Sequence, residues 1–592
     1  MMANALTAEA SISSHAGAIP ETSYNHAFSN STHPSSTETF LLHTVDSPGG
    51  DSLYIIQNLL TPFEGKIIRN IQIEVLDPFG YIIADTGIAN STFLTRTGNA
   101  MHSKSKEITI RNLLMIKTND RFDSLLVKES ERLVRRTGYV IDVRFFTTLT
   151  SDNSDSVDIK VRLIDKWTII PKLAFTDNYS NYRLTETNFW GLGQEIQGSY
   201  SISKINGHHY FYAKYFNPNV YNTYLRTTLQ YGNDEFRNFI KSISVDRTFY
   251  SPFTRWAGGI TYSQQLRKDT FQTIDSLIIS QQNKFNVQDY WIGKGTPILK
   301  GLSQNARSTM LITSLRNLRI NYTSPPPEVE DSLFQFADSH FLLGSIGIST
   351  RKYIQDKFIF NYGLREDVPI GHAFNITAGY QEKNNTGNVY LGSSISHGNY
   401  YNWGYLSSGI TFGTFLHRTK VRQGVVTAGI TYFTPLLEIG KWRFRQFVKP
   451  TITIGIKRYP GEALSINDGF GLDGFTNYKL TGQSRILLKL QSQSYAPWNI
   501  LGFRFGPYLI GSLGMLSNEH SDFTRSKVYS QLGVGMLIKN ENLVLNTFQL
   551  SISFYTFINN NEQNAIRFNS LKTTDFDFRV FELGKPEALE YR

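Results

Sequence analysis

The chain has 592 residues, a net charge of +10 and no cysteine, which excludes disulfides, thiolate metal sites, a cysteine nucleophile and a lipidated N-terminal cysteine. Aromatic residues make up 14% while hydrophobic residues total only 40%, and no run of about 18 apolar residues occurs, so a helical membrane protein is excluded. A soluble all-β protein and a membrane β-barrel both remain open on composition. The positive charge is not gathered into a Lys/Arg-dense arm, so nucleic acid is not an expected partner. Spread along the chain, it suits anionic lipid headgroups or unfolded polypeptide.

Residues 1–62 are rich in Ser, Thr, Asn, His and Gly and carry Pro34, Pro48 and the pair Gly49-Gly50. Such a stretch buries little apolar surface and reads as a mobile lead-in. Ala3-Asn4-Ala5 and Ala8-Glu9-Ala10 have the form of signal-peptide cleavage sites. The segment therefore reads either as the remnant of a signal peptide or as an alanine-containing tail.

Residues 63–166 form a small α+β unit. Ile71, Ile73 and Val75 alternate with Gln72 and Glu74, the period of a half-buried strand. Asp77-Pro78-Phe79-Gly80 breaks it and opens a loop. A helical stretch is expected from Lys106 to Ile116. Asp123 can cap a second helix, SLLVKESERLVRR, with Leu126, Ser130, Leu133 and Val134 on one side and Lys128, Glu131, Arg132 and Arg135 elsewhere. Two strands follow. Ile141, Val143 and Phe145 mark the first; Val157, Ile159, Val161 and Leu163 mark the second.

From Trp167 to residue 592 the pattern is short alternating strands. Leu225, Thr227, Leu229 and Tyr231 oppose Arg226, Thr228 and Gln230. Ile486, Leu488 and Leu490 oppose Arg485, Lys489 and Gln491. Phe548, Leu550, Ile552 and Phe554 oppose Gln549, Ser551 and Ser553. A sheet with one polar and one apolar face and no protected edge is best closed into a barrel, with the polar face in a wet lumen and the apolar face in lipid.

Glu186, Asn188, Phe189, Gly191, Gly193 and Ile196 stand at the spacing E-x-N-F-x-G-x-G-x-x-I. The two glycines imply crowding or a bend on one strand face. This stretch resembles the first hairpin of the BamA/TamA-type outer-membrane barrels, a superfamily that includes two-partner-secretion transporters. The element order of residues 63–166, and the segment NDRFDSLLVKESERLVRRTGYV, resemble a POTRA domain. RTFYSPF (Arg247 to Phe253), REDVPIG (Arg365 to Gly371) and the stretch from Tyr529 through Phe557 are also similar to the family. The resemblance implies a mainly β fold, a transmembrane antiparallel barrel of about sixteen strands preceded by one POTRA domain.

In the family an inward-folded loop tipped by Arg-Gly-aromatic enters the lumen. Here the tip aligns as Asp473-Gly474-Phe475, with arginine replaced by aspartate. A carboxylate only accepts hydrogen bonds, so a docked Asp473 is expected to pair with a lumen cation, Arg485 or Lys489 on the next strand. Read without the resemblance, the same tip is a D-G turn. The family's first and last strands meet in a short seam. Pro171 falls in the first strand, where it removes a ladder donor or starts the strand. The closing strand is expected within Thr574 to Leu583, with Phe576, Phe578 and Val580 on one face.

The resemblance implies residence in the bacterial outer membrane with the POTRA domain in the periplasm. It implies assembly and insertion of membrane proteins or translocation of polypeptides, with lipids, extended polypeptide clients and envelope accessory proteins as partners. A passive or gated pore and a structural subunit of an envelope complex are the alternatives. No enzyme is expected. The chain lacks a G-x-S-x-G elbow, an H-E-x-x-H, a P-loop and any clustered metal-ligand spacing. His208-His209 reads as a solvated turn, and no cofactor or metal is expected.

Overall fold

A computed structural model describes residues 60–81, 83, 93–150, 155–175, 179–234, 237–272, 278–324, 336–418, 420–459, 462–477, 479–500, 503–518, 523–540, 548–558, 563–571, 578 and 581–591. The lead-in up to residue 59, and with it the signal-peptide reading, lies outside the described residues. So do Phe576 and Val580.

The α+β unit is a three-stranded sheet of β1 (Ile67–Leu76), β2 (Val140–Leu149) and β3 (Ser156–Asp165) in the order β1-β3-β2. β3 is central, parallel to β1 and antiparallel to β2. It takes that place because Val157, Ile159, Val161 and Leu163 put an unbroken row of branched side chains on one face, all of them buried. Between β1 and β2 come α1 (Phe93–Met101), α2 (Glu107–Arg111) and α3 (Ser124–Arg135). The sequence reading had a loop where α1 stands, and α2 is shorter than the stretch from Lys106 to Ile116. Ile108, Thr109 and Ile110 are β-branched and propagate a helix poorly, and Leu113, Leu114 and Ile116 enter the core from the turns that follow. Asp123 caps α3 by accepting from the amides of Leu125 and Leu126. This helix is buried on two sides: Val127 and Val134 face the sheet, while Glu129, Arg132 and Arg135 are buried against the barrel.

The rest of the wall is one closed antiparallel barrel of 22 strand segments. It opens with β4 (Ile169–Phe175), β5 (Tyr179–Phe189) and β6 (Gln194–Ser203). Leu437–Ile439 continues the strand Lys420–Phe433 against the same neighbour, and Asn499–Ile500 likewise continues Ser484–Tyr495. Of the 22 segments, 2 are therefore continuations, leaving 20 staves. The architecture is the expected one; the stave number corrects the expected sixteen. Sixteen was what the resemblance implied, and the staves are long as well as more numerous: Ser339–Lys357 and Arg365–Lys383 run 19 residues each. The latter turns into Thr386–Tyr401 through Asn384 and Asn385 alone, both at positive φ (46° and 55°), as a tight hairpin requires.

The two-faced pattern holds in three dimensions. Leu229, Tyr231, Leu490, Leu550, Ile552 and Phe554 are exposed on the outer face, while Gln491, Ser551 and Ser553 on the alternate positions are buried inside. An outside this apolar, on a closed sheet without a free ladder edge, is the surface a bilayer accepts.

Among the described residues the closing stave is Gln563–Phe568, and most of the stretch from Thr574 to Leu583, where the closing strand was expected, lies outside them. After Phe568 the chain leaves the wall and turns inward. Leu571 is buried with Tyr508, Ile510 and Leu537, Phe578 packs on Phe360, Tyr405 and Phe433, and residues 581–591 lie along the inner wall. Alternation in sequence alone does not tell a stave from an extended segment that packs one side on a wall.

Candidate functional site

The first-hairpin motif is a turn that docks the α+β unit, rather than a crowded strand face. Gly191 and Gly193 lie in the turn between β5 and β6 with φ of 72° and 69°. A Cβ on Gly191 would overlap the carbonyl oxygen of Lys104. With none there, the Gly191 carbonyl accepts from the Lys106 amide at 2.9 Å and from Thr109 Oγ1 at 2.7 Å. Asn188, fully buried, accepts the Gly193 amide at 2.7 Å and donates to Ser105 Oγ at 2.8 Å. Ser105 in turn donates to Asp165, which also takes the Ser105 amide and faces His102 Nε2 at 3.0 Å. Glu186 accepts the Asn188 amide, and Phe189 stacks on Trp190. The motif thus ties the end of β3 and the start of α2 to the first hairpin.

REDVPIG supplies the second anchor. Asp367 takes both Arg135 Nε (2.9 Å) and Nη2 (2.8 Å), and Arg365 reaches Asp142 (2.9 Å), Glu131 (3.3 Å) and the Val143 carbonyl (2.8 Å). Glu366 closes the adjoining turn by accepting the amides of Ile359, Phe360 and Asn361. Gly371, at φ 141°, lets the strand pass the Thr350 carbonyl, which a Cβ would overlap. In RTFYSPF, the Tyr250 carbonyl accepts from Arg132, whose guanidinium also lies 4.2 Å from the centre of the Tyr353 ring. Buried ions at such a junction hold orientation more than they add stability.

Inside the barrel, residues 462–477 and 479–483 fold into the lumen. Phe475 is fully buried with Leu464, Ile466, Leu472, Leu487 and Leu516, edge-on to Tyr529. Gly474, at φ 70°, lies where a Cβ would meet Ser570 and the Tyr555 hydroxyl. The Asp473 carbonyl accepts from Tyr555 Oη and from Gln531 Nε2 at 2.7 Å. Its carboxylate lies 3.5 Å from Lys489 Nζ. Arg485 instead donates to the Ser465 carbonyl at 2.6 Å and so braces the loop's stem. The contact with the closing strand comes from Arg567, which donates to the Gly474 carbonyl at 2.6 Å and to Thr476 Oγ1 at 3.2 Å. Sequence reasoning missed Arg567, Gln531 and Tyr555. The one available signal was alternation, which puts Arg567 on the same face as Ala565.

The wall closes where β4 meets Gln563–Phe568, 7 and 6 residues long, beside neighbours of 11 residues each. Pro171 stands in β4 opposite Leu184 and withdraws one backbone donor from that strand. Leu173, Phe175, Ile566 and Phe568 beside the join are exposed. Phe578 belongs to the lumen cluster with Phe360, Tyr405 and Phe433 rather than to the join. Among the described residues no group of three or more His, Asp or Glu is placed to hold a metal ion.

No family model matches the chain, and no curated protein matches it. Among solved structures it is similar to CdiB from Acinetobacter baumannii, at 11% identity over 88% of this chain and 81% of that one, with a TM-score of 0.38. BamA from Haemophilus ducreyi lacking POTRA domains 1–3 matches at 12% identity over 86% and 82%, with a TM-score of 0.30. CdiB from Escherichia coli matches at 10% identity over 83% and 72%, with a TM-score of 0.38.

Proposed function

We propose that this barrel works in a bacterial outer membrane, inserting membrane proteins or translocating polypeptides, with the α+β unit serving as a periplasmic POTRA domain. The observation that carries the reading is the placement of Arg567. It belongs to the closing strand and it grips the tip of the inward loop, so a hydrogen bond ties the loop to the join of the barrel.

The chemistry is physical, not covalent. Parting two short strands at membrane depth exposes backbone donors and acceptors that lipid cannot satisfy, and an extended client satisfies them by adding its own strand. Pro171 lowers what the closed join has to lose. A client can also pair with the edge strand β2, once Arg365 releases the Val143 carbonyl. A passive pore is disfavoured, because the inward loop and residues 581–591 both occupy the lumen. The test is depletion of the protein from its host: barrel and surface proteins should fail to reach the outer membrane, and their normal assembly overturns the reading.

A further inference from the structure

Residues 581–591 cross the lumen extended, outside every strand ladder. They rest in hollows made by four inner-wall glycines. A Cβ on Gly398 would collide with the Phe581 ring, on Gly347 with Leu583, on Gly413 with Leu589 and on Gly455 with the Tyr591 hydroxyl. Three wall side chains bind main-chain atoms of the segment: Ser349 Oγ donates to the Phe581 carbonyl, Arg316 to the Pro586 carbonyl at 3.0 Å, and Tyr390 Oη accepts the Leu589 amide at 2.8 Å. Two ion pairs flank them, Arg351 with Glu582 and Lys585 with Asp289, each at 2.7 Å.

We propose that this strip of inner wall is an acceptor site for extended polypeptide backbone, and that residues 581–591 are its resident occupant, sealing the lumen until another chain displaces them. The inference rests on the reading of the protein as a polypeptide handler and adds where in the barrel such a chain lies. Recognition through carbonyl and amide groups is indifferent to side-chain order, as a site for varied clients requires. Departure of the segment leaves part of the wall's pairing in place: Asp289 keeps Arg316 at 2.8 Å, and Arg351, parted from Glu582, keeps the Phe249 carbonyl at 2.6 Å and meets the water that replaces the segment. No ladder hydrogen bond has to break.

The chain's lack of cysteine makes the test direct. A Cβ on Gly413 would lie 2.9 Å from Leu589 Cβ, so the pair G413C/L589C reaches the usual disulfide separation of about 3.8 Å with a small shift. The companion variant E582Q/K585M loosens the segment and leaves the wall untouched. In planar bilayers the purified full chain should show rare openings, E582Q/K585M roughly tenfold more, as expected for loss of charge-assisted contacts, and oxidised G413C/L589C none until reduced. A labelled synthetic peptide, FELGKPEALEY, and a scrambled version should both bind E582Q/K585M within about tenfold of each other, and neither should bind the oxidised protein. Unchanged conductance in E582Q/K585M, peptide binding that ignores the disulfide, or binding of the native order alone each overturns the inference. These readouts use no client and no cell. Normal assembly after depletion therefore sinks the transport reading by itself, and a lock without effect sinks only the acceptor site.

Discussion

Arg567 Nη1 lies 2.6 Å from the carbonyl oxygen of Gly474, joining the last strand of the barrel to the tip of a loop 93 positions earlier in the chain. In the BamA/TamA-type pattern the tip itself carries the arginine. Here the wall carries the cations, Arg567 and Lys489, and the tip carries the anion. Arg567→Gln removes a charge-assisted hydrogen bond, a loss of about 1.5–3 kcal/mol. Amide exchange across residues 469–480 should accelerate while that of residues 67–76 stays unchanged.

Asp473→Asn keeps the main-chain contacts of the tip and takes the charge out of the largely buried pair with Lys489, so a loss of about 1–3 kcal/mol is expected. Tyr555→Phe should cost about 1 kcal/mol, because the Asp473 carbonyl keeps Gln531 as a donor. Asp473→Arg would face Lys489 and Arg567 with a third cation and should undock the tip. Limited proteolysis of the loop ranks the three variants.

Gly191 stands where the first hairpin meets the α+β unit. In Gly191→Ala the new methyl meets the Lys104 carbonyl at a φ that disfavours any Cβ. A loss of about 1–3 kcal/mol is expected. It should appear as faster exchange at Lys106 and Thr109, with the barrel's heat-modifiable band on gels retained.

Asp367→Asn leaves Arg135 buried with Glu131 as its remaining ion-pair partner among the described residues. Breaking one partner of a buried pair costs about 3–5 kcal/mol when nothing compensates, and the shared Glu131 should keep the loss at the lower end. A double-mutant cycle with Arg135→Gln, read by thermal melting of the full chain in detergent, measures the coupling.

Lys128 lies on α3 outside the membrane-spanning staves, and burial pushes its ammonium down to about 8 against the partial opposition of Glu131 and Glu64. In the unfolded chain the amine holds its proton up to about 10.4. Between those values the unfolded chain binds more protons than the folded one, so stability should rise with pH from about 8 to 10.4. Lys166, also pushed down to about 8 by burial, acts in the same window. Lys128→Met should stabilise the α+β unit at pH 7 and flatten part of that rise. Equal pH slopes for variant and parent, measured by amide exchange of β1 and β3, would show the reasoning to be wrong.

Local patterns settled what can be settled by alternation and capping: the strand rows of β3, the Asp123 cap, and the apolar outside and polar inside of staves such as Ser484–Tyr495. Those features depend on neighbours in sequence or on one face meeting one solvent, so composition and period carry them. The sequence also put Asp473, Gly474 and Phe475 at a loop tip. What that tip touches, why Gly191 and Gly193 are glycines, where the ring closes and what fills it depend on residues far apart in the chain. Alternation fits Gln563–Phe568 and the stretch 574–583 equally well. Only the folded molecule, by spending the first on a join and residues 581–591 on the lumen, distinguishes a stave from a guest lying against one.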